Sequence, residues 1–154
     1  YICCPIEDID FEEASFDIIL SSLAFHYIEN YEEIVDKIHK LLKPGGYLVF
    51  SAEHPVFTAE GSQDWYYDEN GKILHFPVDN YYYEGKRNAV FLGEPVTKYH
   101  RTFTTYISVL LKKGFRLVDV EEPQPPEEML NTVPGMKDEM RRPMMFLVSA
   151  QKEK

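Results

Sequence analysis

Apolar residues along this chain follow two alternating rhythms. Phe16-Asp17-Ile18-Ile19-Leu20 is almost continuously apolar, as a strand buried on both faces should be, and Ser21-Ser22 ends it. Beyond Asn30 the spacing changes. Tyr31, Ile34, Val35, Ile38, Leu41 and Leu42 recur at helical intervals and make one stripe. Asn30 and Glu33 stand at capping-box spacing, with Asn in the cap position. Pro44-Gly45-Gly46 stops the helix and turns the chain, and Tyr47-Leu48-Val49-Phe50-Ser51-Ala52 reads as the next strand. A strand, a helix and a strand in unbroken succession form a crossover unit. Such a unit predicts parallel pairing, with ligand chemistry at the carboxyl ends of the strands.

After Glu53 the rhythm is lost for almost fifty residues. The stretch to Arg101 is dense in aromatics, among them Phe57, Trp65, Tyr66, Tyr67, Phe76, Tyr81, Tyr82, Tyr83, Phe91 and Tyr99. Asn70-Gly71 predicts one hairpin and Gly93-Glu94 a second. An insert of this length is too long for a connector and predicts a functional elaboration. The α/β pattern then resumes. Thr104 is placed to cap a helix over Thr105 to Lys113, with Tyr106, Ile107, Leu110 and Leu111 as its stripe and Gly114 as its stop. Strands follow at Phe115 to Glu121 and Met144 to Gln151, joined by a proline-rich connection. With no long helix between them, they predict an antiparallel pair at the sheet edge. Tyr1-Ile2-Cys3-Cys4 reads as the end of a strand halted by Pro5. The predicted organisation is an α/β domain over 1–53 and 102–154, with a β-rich subdomain at 54–101.

Composition narrows the function. A length of 154 residues suits one domain with a sizeable core. A net charge of −10, with only isolated basic pairs such as Lys112-Lys113 and Arg141-Arg142, argues against a nucleic-acid partner. Arg141-Arg142-Pro143 reads as a solvated lead into the last strand. The two cysteines are neighbours and would point to opposite faces of a strand, which argues against a disulfide framework and leaves buried thiols in a reducing cytoplasm. No ligand spacing for a metal is present. No apolar run approaches the length needed to span a bilayer, and there is no signal peptide.

Three segments carry a family resemblance. Ile6-Glu7-Asp8-Ile9 with Ser15-Phe16-Asp17, then Ser21-Ser22-Leu23-Ala24-Phe25-His26, then Leu42-Lys43-Pro44-Gly45-Gly46-Tyr47-Leu48 resemble, in order and spacing, class I S-adenosylmethionine-dependent methyltransferases of the bacterial small-molecule type. The resemblance implies a Rossmann-like sheet made of the family's strands four to seven. It also implies an amino-terminal truncation, since the glycine-rich cofactor loop would lie before Tyr1. Ile6 and Glu7 would seat the adenine, and Ser21, Ser22, Leu23 and His26 would line the methionine part of the cofactor. His26, Glu53 and His54 are the candidates for acid or base work. His54, Trp65, Tyr82 and His100 are the candidates for contact with a small-molecule acceptor. The implied activity is methyl transfer in the intact protein, the 154-residue chain itself being inactive and self-associating through its incomplete sheet. Two readings stand beside it: a non-catalytic interaction protein that keeps half of the fold, and a nicotinamide-dependent Rossmann enzyme.

Overall fold

The computed structural model describes residues 1–153; Lys154, the end of the expected second part of the domain, lies outside them. Strand β1 (Phe16–Ser22) leads through a short 3-10 turn at Phe25–Tyr27 into helix α1 (Tyr31–Leu41). Strand β2 (Leu42–Glu53) follows without a separate turn. Pro44-Gly45-Gly46 therefore does not precede the strand but lies inside it. The extra residues are taken up as an irregularity in the ladder, where Phe16 faces Leu42 but Ile18 already faces Tyr47. Gly46 permits this close approach. A Cβ there would stand 3.0 Å from both the Asp17 and the Lys43 carbonyl oxygens.

The one-turn helix α2 (Pro55–Thr58) opens the insert, which then forms two separate hairpins. These are β3 (Tyr66–Tyr67) with β4 (Ile73–His75), and β5 (Gly85–Phe91) with β6 (Glu94–His100). Helix α3 (Phe103–Lys112), strand β7 (Phe115–Glu121), helix α4 (Glu127–Thr132) and strand β8 (Met145–Lys152) complete the chain. The main sheet has the order β1-β2-β8-β7. β1 and β2 are parallel, and β8 runs antiparallel to both β2 and β7. The crossover and the antiparallel edge are as the pattern predicts, within an α/β Rossmann-like sheet.

Alternate residues of β2 and β8 make the core. Leu48, Phe50 and Ala52 with Phe146, Val148 and Ala150 meet the stripes of α1 and α3, including Ile34, Val35, Ile38, Tyr106 and Leu110. Edge-on aromatic pairs run through it, Phe50 to Phe146 at 5.9 Å and Tyr106 to Phe146 at 5.0 Å. The opposite face differs. Ile18 and Leu20 of β1 are 63% and 74% exposed there, and Val118 is exposed on β7, whereas Leu48 is fully buried.

Some local expectations are corrected. Asn30 occupies the cap position of α1, but its side chain makes no capping hydrogen bond. Helix α3 starts earlier than expected, because Thr102 rather than Thr104 accepts from the Thr105 N–H. Tyr1 to Cys4 form no strand, because they find no ladder partner among the described residues, and both thiols are exposed rather than buried. No helix among the described residues is long and apolar enough to cross a membrane.

The two faces of the sheet should respond differently to truncation. In urea unfolding of the 154-residue chain, Leu48→Ala should cost about 2–5 kcal/mol, as buried leucines do. Leu20→Ala should cost less than about 1 kcal/mol. Equal losses would show that Leu20 is covered in solution.

Candidate functional site

The parallel register brings the ends of β1 and β2 together. Ser22 faces Ser51, and Glu53 closes β2 two residues later. Immediately after β1 the chain takes a left-handed step at Leu23, φ +49°, which is unfavourable for a branched residue. The step is held from β2, since the Leu23 N–H lies 3.0 Å from the Ser51 carbonyl and 3.1 Å from Ser51 Oγ. It releases Ser22 and Leu23 to solvent and drops the next turn, with His26, back onto the sheet end. Ser21 Oγ beside them is buried without a hydrogen-bond partner. An exposed, strained loop at a strand carboxyl end stands where doubly-wound folds place their ligands. Ile6 is half-buried against the core in a 3-10 turn, Ile6–Asp8, and Glu7 is exposed. Lys37 of α1 holds that turn through the Glu7 and Ile9 carbonyls.

His26 and Glu53 come together. The Glu53 N–H donates to His26 Nδ1 at 3.2 Å, so the ring proton resides on Nε2, which stands 3.8 Å from Glu53 Oε1. Burial is the main cause that takes the His26 pKa from 6.5 down to about 4. Glu53 pulls it up, while Lys98 and Arg101 add to the depression. The imidazole is thus neutral at pH 7 and its lone pair is committed. Tyr27 covers it, ring centroids 4.4 Å apart, and is itself partly exposed.

The partner of Glu53 is a residue that sequence reasoning missed. Lys98, on β6 of the insert, is only 2% exposed. Its Nζ donates to Glu53 Oε1 at 2.6 Å and to Gln63 Oε1 at 2.7 Å. Gln63 Nε2 in turn donates to Glu53 Oε2 at 2.8 Å, so three side chains close a ring of hydrogen bonds. The ammonium also lies 5.7 Å from the Tyr27 and Phe91 ring centroids. The overlooked signal was the period of β6, in which Lys98 shares the inward phase with His100.

The other candidates lie elsewhere. His54 caps α2 by accepting from the Val56 N–H, and its Nε2 meets Glu122 Oε1 at 2.8 Å. Burial depresses its pKa against the pull of that carboxylate. His100 is wholly buried. It accepts from Thr58 Oγ1 at 2.7 Å and donates from Nε2 to the Tyr81 carbonyl at 2.8 Å, so both nitrogens are committed within the insert. Tyr82 is 86% exposed and contacts Tyr81 edge-on. Arg101 donates to the Phe25, Ile28, Glu29 and Tyr99 carbonyls and ties the turn after β1 to the end of β6. Trp65 packs against two guanidinium groups, Arg141 and Arg142, each at 5.0 Å. Arg142 is not a solvated lead. It is buried among Phe57, Trp65 and Phe76 and held by Glu139, because a planar cation over ring faces keeps favourable electrostatics away from water.

Two outcomes follow from these contacts. Lys98→Met leaves the largely buried Glu53 carboxylate with Gln63 but without its cation, and should cost about 2–4 kcal/mol in chemical denaturation. The double variant Lys98→Met, Glu53→Gln should recover most of that loss; no recovery would mean that the two groups do not act as a pair. His26 resists protonation in the folded state, so the unfolded chain binds the extra proton between pH 6.5 and about 4. Stability should therefore fall on acidification through that window, by up to about 3 kcal/mol from this residue. His26→Gln should flatten the slope by that share, leaving what His39, His54 and His100 contribute.

Residues 1–50 match the family model described as a methyltransferase domain. A crystal structure from Listeria monocytogenes, described as an S-adenosylmethionine dependent methyltransferase, is 54% identical. It superposes with a TM-score of 0.91, over 97% of this chain and 67% of that one. One from Mesorhizobium loti, of the same description, is 36% identical, with a TM-score of 0.86 over 97% of this chain and 68% of that one. A Haemophilus influenzae protein without an assigned function is 37% identical over 155 residues, 96% of this chain and 59% of its own length. The chain thus spans about three fifths to two thirds of these relatives. The chain belongs to the S-adenosylmethionine-dependent methyltransferases.

Proposed function

We propose that the whole protein transfers the methyl group of S-adenosylmethionine to a small-molecule acceptor, at the site bounded by Ser22, Leu23, His26, Tyr27 and Glu53. The observation that carries this reading is the convergence of His26, Glu53 and Lys98, from three separate segments, on the carboxyl end of two parallel strands. Doubly-wound folds place their ligands at that end. The charge of −10 favours a small acceptor over a nucleic acid.

When bound, S-adenosylmethionine supplies an electrophilic methyl group on a sulfonium. Ser21, Ser22 and Leu23 would hold its methionine part, and Ile6 and Glu7 its adenine. The remaining work falls to side chains whose protons are already assigned. His26 offers a fixed Nε2–H and no free lone pair. Glu53 accepts Lys98 on one carboxylate oxygen and Gln63 on the other, so protonating it would break its pairing with the buried ammonium. His26 has no lone pair with which to take a proton from the acceptor. Their role is to orient it and to keep water from the reacting atoms, which is enough for an in-line displacement.

Calorimetry on the full-length protein tests the reading. S-adenosylhomocysteine should bind with a Kd of about micromolar order, and Ser22→Trp should weaken binding at least tenfold. Absence of binding would sink the cofactor assignment, and an unaffected Ser22→Trp variant would sink its placement. Kinetics separate orientation from base catalysis. His26→Gln should lower kcat/KM by about tenfold or less, with no ionisation lost from the profile between pH 5 and 8. A general base would cost about a hundredfold or more.

A further inference from the structure

All five methionines of the chain fall between Met129 and Met145, and four of them line one cavity. Met129, Met136, Met144 and Met145 enclose it together with Trp65 and Ile73, in a volume of about 620 Å³. That is within the range of small-molecule sites, roughly 300–1,000 Å³. The cavity sits between the first hairpin of the insert and the β7–β8 connection. It adjoins the candidate site across one strand: Met145 is the register partner of Glu53, and the Met144 carbonyl accepts from the His54 N–H at 2.9 Å.

The charges at its wall are matched internally. Glu139 is engaged by Arg142 at 2.7 and 3.2 Å, and Asp138 by Arg141 at 3.0 Å. Arg142 is further enclosed by three aromatic rings at 4.8 to 5.0 Å. No net charge is left to hold an ion. What remains is mostly thioether and proline surface, which is polarizable and adapts its shape to an apolar guest, with the Gln124 amide and the unpartnered Arg142 Nε–H as its polar points.

We infer that this cavity binds a neutral, largely apolar small molecule, and that it receives the body of the methyl acceptor whose reacting atom lies at the Glu53 end of the sheet. The second half of this inference rests on the methyltransferase reading above; the first does not. Acceptor selection then belongs to the β7–β8 connection, with Trp65 as the shared wall, rather than to exposed Tyr82 or buried His100.

The test uses full-length protein labelled with ¹³C at the methionine methyl groups, each signal assigned by its Met→Leu variant. The probes are a matched pair: N-phenyl-1-naphthylamine, which is neutral, and 8-anilino-1-naphthalenesulfonate, which adds one negative charge to the same skeleton. The neutral probe should shift the signals of Met129, Met136, Met144 and Met145 together and saturably, while Met140, which does not line the cavity, stays put. Met129→Trp should weaken that binding at least tenfold, and the anionic probe should bind the four methionines more weakly. Fluorescence enhancement without methionine shifts would place the probe outside the cavity and overturn the inference. So would stronger methionine shifts with the anion, or no saturable shift at all. S-adenosylhomocysteine titrated into the same sample reports separately. Its binding with a silent cavity would leave the cofactor reading standing and this inference fallen; a responsive cavity without its binding would leave only the apolar-ligand half standing.

Discussion

A lysine ammonium cannot leave water alone, and the placement of the insert depends on that fact. Lys98 is carried inward by β6 and is matched by Glu53 at the last position of β2. A buried ammonium and a largely buried carboxylate are tolerable only where further hydrogen bonds support them, and Gln63 supplies one to each. The pair pins a hairpin that shares no ladder with the main sheet to the end of that sheet. It also acts on His26, whose depressed pKa comes first from burial, with the carboxylate pulling it up and the cation pushing it down. The scaffold positions the insert through one charge pair, and the same pair shapes the site.

Much of the scaffold was legible because it is written in short-range periodicity. The stripe of α1, the apolar run of β1 and the glycine turns of both hairpins are local signals; α1 and β1 stand within two residues of their expected bounds, while β5 begins four residues before the expected Ala89. The errors also have physical causes. Asn30 had the right spacing for a cap, but spacing does not fix a rotamer. Thr102 and Thr104 are equally good caps in sequence, and the choice was made by Glu84, which accepts from the Thr102 backbone N–H and hydroxyl. Tyr1 to Cys4 had strand composition but needed a ladder to become one.

The candidate site was legible only by half. His26 and Glu53 follow strand ends and could be found from fold logic. Lys98 and Gln63 reach Glu53 from 45 and 10 residues away, and no spacing rule connects them. His100 was misleading for the converse reason. A histidine in an aromatic segment reads as a ligand contact, yet its two nitrogens tie Thr58 to the Tyr81 carbonyl. Arg142 misled in the same way, since the three rings that enclose it come from residues far earlier in the chain.

The position of β8 in the sheet has a consequence for the order of folding. β8 lies between β2 and β7, so among the described strands an interior one is the last to be synthesised. Gln151 donates to the Gly45 carbonyl across 106 residues, whereas β1, α1 and β2 are neighbours in sequence. Closing the long loop costs chain entropy that local pairs do not pay. The crossover unit can therefore form on the ribosome while the inner edge of β2 waits open. Phe50 and Leu48 acquire Phe146 and Val148 only when nearly all of this chain has been made. Nascent chains carry that apolar edge unprotected throughout synthesis of the insert, a natural point of engagement for a chaperone that holds extended segments.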